Sequence, residues 1–252
     1  MKRWRHAALA ALASLFLAPS TAGGQDTIPT VRHLLPLDLS RVQPFRRAYD
    51  IVVLSGDSLT YIGHREVALE ETLLVDSSPG WLLTESRTGQ VPACDSLVLG
   101  SDLRPVSWAS TLGGSRAHLD FRGDSAFGSA RSPAGSSAMS FISPPDLVLT
   151  GAMLDLLATA LPLSNGWGDS ISVLSADLNG FDVLPGELLV IGEEVGQADS
   201  LLARPLWLLA LRAESRQVLL WIDKATGAVT KSQQTLSPHT GTLLEFRERS
   251  SA

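Results

Sequence analysis

Cysteine is nearly missing from this chain: among 252 residues only Cys94 is one. No internal disulfide can form, so a large buried core has to hold the protein together. Asparagine occurs only as Asn165 and Asn179, in "SNGWGD" and "LNGFD", both of which read as turns. The five histidines, His6, His33, His64, His118 and His239, show no His-x-x-x-His spacing, and no metal site is expected. There is no Walker loop and no dinucleotide fingerprint, so no cofactor is expected either. After residue 24 no apolar run is long enough to span a bilayer.

What the chain does have begins with a basic start, Met1-Lys2-Arg3-Trp4-Arg5-His6, an apolar stretch from Ala7 to Ala18, and small residues through Gly24. This is the layout of a secretory signal peptide over residues 1–24, and it predicts a periplasmic or otherwise exported protein. No cysteine directly follows the apolar stretch, so lipid attachment is not expected. Cleavage removes Lys2, Arg3 and Arg5 from the 20 basic residues, leaving 17 against 26 acidic ones and a formal charge of −9. So acidic a chain is a poor nucleic-acid binder and offers no evident positive patch for phospholipid headgroups.

Residues 25–47 carry Pro29, Pro36 and Pro44 and read as an irregular lead-in. From 48 to 252 the texture is that of one β-rich domain. Short apolar or alternating runs are broken every eight to twelve residues by Gly, Pro, Asp, Ser or Asn. Strands are expected at 48–55, 58–64, 66–76, 80–88, 95–99, 105–112, 115–122, 125–130, 137–143, 170–177, 187–195, 204–213, 217–223, 228–235 and 241–247. One segment differs. In "PPDLVLTGAMLDLLATALPL", Leu147, Met153, Leu154, Leu157 and Leu161 recur at helical spacing between Pro145 and Pro162, which predicts the main helix.

The stretch "VVLSGDSLTYIG" contains Gly56-Asp57-Ser58-Leu59 and resembles the GDSL esterases over twelve residues, which would make Ser58 a nucleophile. A serine needs a base and oxyanion donors. The Gly-x-Asn-Asp block and the Asp-x-x-His of that family are not found; the position three before His239 is Leu236. Asp-Ser also recurs at Asp57, Asp95, Asp124, Asp169 and Asp199, so a repeated turn device before strands accounts for all five. In "HREVALEE", His64, Arg65, Glu66, Glu70 and Glu71 read as a solvated strand face. Trp81, Trp108, Trp207 and Trp221 fall on expected strands, where they pack a core or line an apolar cavity.

From the helix onward, "GDSISVLS", "GELLVIGEEV", "ARPLWLLAL", "VLLWIDKATGAVTKS" and "GTLLEFR" resemble exported bacterial proteins of unknown function in the half-barrel superfamily of the lipoprotein carriers LolA and LolB. The resemblance implies a mainly β fold: a strongly curved antiparallel sheet, an open half-barrel, closed by one main helix over an apolar pocket. The expected function is binding of a lipid, an acyl chain or an apolar segment of another envelope protein, without catalysis and without a transmembrane anchor after cleavage. Trp81, Trp108, Trp207, Trp221, Met153 and Leu157 are the expected ligand-binding residues. The alternatives are an esterase with Ser58 as nucleophile and a structural envelope assembly protein with a filled barrel.

Overall fold

The computed structural model describes residues 34–90, 92–133, 135–149, 151–177, 180–196, 204–214, 216–237 and 240–249. The expected signal peptide, His33, the Asp199-Ser200 pair and His239 lie outside the described residues. The first half of the chain is a meander of β1 (Phe45–Ser55), β2 (Ser58–Leu73), β3 (Pro79–Gly89), β4 (Ala93–Gly100), β5 (Pro105–Leu112), β6 (Ser115–Arg122), β7 (Ser125–Ser132) and β8 (Gly135–Ile142). A short strand β9 (Leu147–Val148) and the helix α1 (Gly151–Ala160) follow. The second meander is β10 (Gly168–Asp177), β11 (Gly180–Gly196), β12 (Arg204–Ala213), β13 (Arg216–Asp223), β14 (Val229–Ser237) and β15 (Thr242–Glu248).

All 15 strands belong to one sheet in the order β8-β7-β6-β5-β4-β3-β2-β1-β15-β14-β13-β12-β11-β10-β9. The two meanders meet in its middle, where β1 pairs antiparallel with β15. Among the described residues only the β9–β10 pair is parallel. Irregularities at Ile51/Val52, Val98/Leu99, Val190/Gly192 and Trp221/Ile222 add local twist. The curved sheet brings β8 back close to β11. Among the described residues no helix is long and apolar enough to cross a membrane.

Strand alternation sorts the side chains onto two faces. Leu69, Leu83, Leu97, Trp108 and Leu119 follow one another across β2 to β6 on the inner face. Ile51, Phe246, Leu220 and Leu209 continue that face through β1, β15, β13 and β12. Helix α1 lies against it. Residues Ala152 to Ala160 are all buried, so the helix is core on every side rather than an exposed cover.

Several expectations are corrected. Strand β2 runs through the break expected near His64-Arg65. Gly63 sits opposite Gly89, and a Cβ there would come within 2.0 Å of the Thr88 carbonyl oxygen; glycine permits close approach of the strands, not a turn. The helix starts later than its apolar spacing implies. Leu147-Val148 instead pairs with Ser172-Val173, because a short buried apolar run can complete a sheet edge as readily as a helix. The Asp-Ser repeats do not share one device. Gly56-Asp57 and Gly123-Asp124 are two-residue hairpin loops, with φ of +55° and +60° at their glycines. Asp95 and Asp169 lie inside β4 and β10.

Candidate ligand-binding cleft and the buried ion cluster

Helix α1 separates two unlike environments. Met153 and Leu157, four positions apart, line a cleft, whereas Leu154 and Asp155 line a small cavity elsewhere on the helix. On the first side, Met153 and Leu157 form the floor of a cleft of about 320 Å³. Leu35, Leu37 and Leu39 of the lead-in, Leu103 of the β4–β5 turn and Leu147 complete its apolar wall. Asp102, Arg104 and Asp146 stand at its polar margin. The volume is about twice the ~150 Å³ of an engineered cavity that takes up benzene.

The lead-in is held in place by the end of the helix. Asp38 N–H donates to the Ala160 carbonyl at 2.8 Å, and Arg41 donates to the Leu161 carbonyl at 3.3 Å. Both use carbonyls that a helix C-terminus leaves unsatisfied, and the Arg41 charge suits that end of the dipole. Asp38 in turn caps the 3-10 turn Leu39–Arg41. The β13–β14 hairpin supports the same helix end. Asp223 accepts from the Ala225 and Thr226 N–H groups, and a Cβ on Gly227 would lie 2.8 Å from Thr159 Cα.

On the other side of α1 is a cluster of buried charges. Arg65 Nη2 lies 2.5 Å from Asp155 Oδ2 and 3.0 Å from Glu85 Oε2. Arg87 lies 2.8 Å from Glu85 and 3.6 Å from Asp95. Tyr49 donates its hydroxyl to the Val229 carbonyl at 3.0 Å and approaches Asp155 at 3.4 Å. Arg65 also stacks over the Tyr49 and Phe246 rings. Glu85 accepts the Ala152 N–H, so a strand carboxylate caps the start of the helix. A small cavity of about 40 Å³ beside Arg65, Glu85, Arg87 and Asp155 reaches Ser232 and Phe246 on the second meander.

Burial and neighbouring charge set the protonation of this cluster. Burial raises the Glu85 acid, but Arg65 and Arg87 outweigh it and hold the pKa at about 2. Asp95 goes the other way: burial first, and repulsion from Glu85 second, push it up to about 6. Burial also pushes Asp155 up in spite of Arg65. Burial would lower Arg65, yet Asp155 and Glu85 keep it firmly protonated. Burial and then the Asp155 charge hold the Tyr49 phenol well above its usual range.

Of the six expected ligand-binding residues, the structure brings Met153 and Leu157 together in the cleft, and the four tryptophans lie outside its lining. Trp81 is half-buried beside Leu99, and Trp108 is core between Leu97 and Leu119. Trp207 carries Lys224 over its ring at 3.6 Å. Trp221 occupies the opposite face of the sheet from Leu220 and Ile222. There its Nε1 donates to Glu194 at 2.7 Å and Lys231 covers its ring. Arg65 is not on a solvated face as "HREVALEE" suggests. It is 4% exposed, because its position opposite Tyr49 turns it inward. The lead-in leucines were the unread part of the cleft; their signal is the alternation in "LLPLDLS". The signal for the ion cluster is Asp155 alone inside an apolar helix.

No protein-family model matches the chain, and no curated protein matches it significantly. Among solved structures, the chain is similar to a β-barrel-like protein of a domain of unknown function, DUF1849, from Brucella abortus. The TM-score is 0.50 at 6% identity, over 86% of this chain and 98% of that one. A second likeness is to the hypothetical lipoprotein YmcC from Escherichia coli (K12), with a TM-score of 0.33 at 15% identity, over 84% and 89% of the two chains. The first of these agrees with what the strand order indicates: a mainly β, barrel-like fold built from one curved sheet.

Proposed function

We propose that the protein is an exported envelope protein that holds an apolar ligand, an acyl chain or an apolar segment of another envelope protein, in the cleft between α1, the lead-in and the β4–β5 turn. The reading is of binding without catalysis, in the manner of the LolA and LolB half-barrel carriers. The observation that carries it is the cleft itself: about 320 Å³ with a leucine and methionine wall and a few polar groups at one margin. Burial supplies the driving force, roughly 0.8 kcal/mol for each CH₂ withdrawn from water. Because α1 is core, uptake and release would work through the lead-in, which is tied to the helix by the Asp38 and Arg41 contacts. Export rests on the basic, apolar and small-residue order of residues 1–24.

The test is titration of the delipidated protein with the fluorescent probe N-phenylnaphthylamine. Leu35→Asp, which places a charge on the half-buried wall, is expected to weaken probe binding at least tenfold. Trp221→Ala, on the other face, is expected to leave it unchanged. Failure of the wild-type protein to bind the probe would return the molecule to a filled barrel.

A further inference from the structure

The outer face of strands β5 to β8 has a charge pattern that the overall composition conceals. Arg116 of β6 stands directly opposite Arg131 of β7. Like charges at opposed positions on one face repel, so the pairing has no internal reason. Arg122 lies on the same face at the other end of β6, and all three side chains are exposed. Elsewhere several exposed arginines find carboxylates: Arg46 with Glu66, Arg212 with Glu187, Arg249 with Asp50. Among the described residues the side chains of Arg116, Arg122 and Arg131 have no ion pair or hydrogen bond.

The rest of the face is small or apolar. Ser129, Ser136, Ala138 and Ser140 alternate outward with the arginines, and Phe127 and Ile142 project with 49% and 79% exposure. Its acidic groups are Asp120, which pairs with His118 at 3.3 Å, and Asp124 in the β6–β7 loop. No cleft interrupts the face among those described, and β8 is the sheet's outer strand. A peptide lying on a sheet face is recognised through pockets for its side chains. A planar array of phosphodiesters needs only a flat surface with guanidinium groups and apolar tips.

We propose that the outer face of β5–β8 docks onto a membrane surface bearing anionic phospholipid headgroups, with Arg116 and Arg131 jointly clasping a phosphodiester and Phe127 and Ile142 entering the headgroup layer. The proposal goes beyond cargo binding and stands without it. The cleft is on the helix side of the sheet and the arginines are on the other, so each can be abolished separately.

The experiment is vesicle co-sedimentation of the protein as processed by an expressing bacterium. Phosphatidylglycerol/phosphatidylcholine vesicles are compared with pure phosphatidylcholine, at low and high salt. Binding to the anionic vesicles and its loss at high salt are expected. Arg116→Gln/Arg131→Gln should lower partitioning about fivefold for each arginine and roughly 30-fold for the pair. Both residues are exposed, so folding should be unaffected, and circular dichroism checks this. Equal binding to neutral vesicles, or wild-type binding by the double variant, overturns the proposal. So does release by inorganic phosphate at matched ionic strength, which would make the pair a site for the free oxyanion, or retention on polyglutamate without vesicle binding, which would assign the face to an acidic protein.

Discussion

Replacing Asp95 by Asn should make the protein more stable at neutral pH, although Asp95 belongs to an ion cluster. Asp95 is buried, and its nearest cation, Arg87 at 3.6 Å, is shared with Glu85 at 2.8 Å. Two guanidinium groups, Arg65 and Arg87, thus face three carboxylates, Glu85, Asp95 and Asp155. Asp95 carries the surplus charge, and its pKa rises from 3.8 to about 6. Between those two values the folded protein holds a proton that the unfolded chain has released. This acid therefore favours folding least at high pH: its stability contribution falls as pH rises through 6 and is restored below 3.8. A shift of that size corresponds to about 3 kcal/mol of ionisation cost at neutral pH. Asn resembles the protonated acid and can keep the hydrogen bond to Ser110 on β5. Urea unfolding of both proteins across this pH range should show the Asp95→Asn variant ahead by up to about 3 kcal/mol above pH 6 and level with wild type below the unfolded pKa. A variant less stable than wild type at neutral pH, or one whose advantage does not change with pH, would refute the surplus-carboxylate argument.

Arg65→Met should be far more harmful. It leaves the buried Asp155 without its closest cation and Glu85 with Arg87 alone, and a loss of about 3–5 kcal/mol in denaturant unfolding is expected. Gly227→Ala should destabilise the protein by roughly 1–3 kcal/mol in thermal melts, since the residue has φ of +71° and its Cβ would press on Thr159. The Leu35→Asp probe titration and the Arg116/Arg131 sedimentation complete the set.

How much of this was legible in the chain depends on how local the cause is. The limits of β5, β6 and β12 agree with those read from the sequence; between β5 and β6 the boundary is set by Gly113-Gly114 at φ of +54° and +93°, whose own backbone preference ends a strand. Alternation in "SRAHLDFR" is local, and it places Leu119 inside and Arg116 outside. What alternation in one strand cannot say is which residue will stand beside it. Arg116 and Arg131 become a pair only through the β6–β7 register. Arg65 meets Glu85 across one strand and Asp155 across half the fold, at separations of 20 and 90 positions, so no window of sequence contains the cluster. The cleft shows the same division. Met153 and Leu157 were readable from helical spacing, whereas the lead-in leucines depend on backbone contacts with the helix end.

The strand order also dictates a schedule. Within each meander the neighbouring strands are successive in the chain, and the long-range β1–β15 seam joins the two meanders across nearly its whole length. A polypeptide that emerges from its N-terminus can form the first meander early. Asp155 then reaches Arg65, Val229 reaches Tyr49, and Thr242–Glu248 comes last of all. Until those final seven residues arrive, β1 and β14 both present bare edges in the centre of the molecule. The interval before completion is when the chain is most open to mispairing, and a truncation that removes the last strand would make that interval permanent.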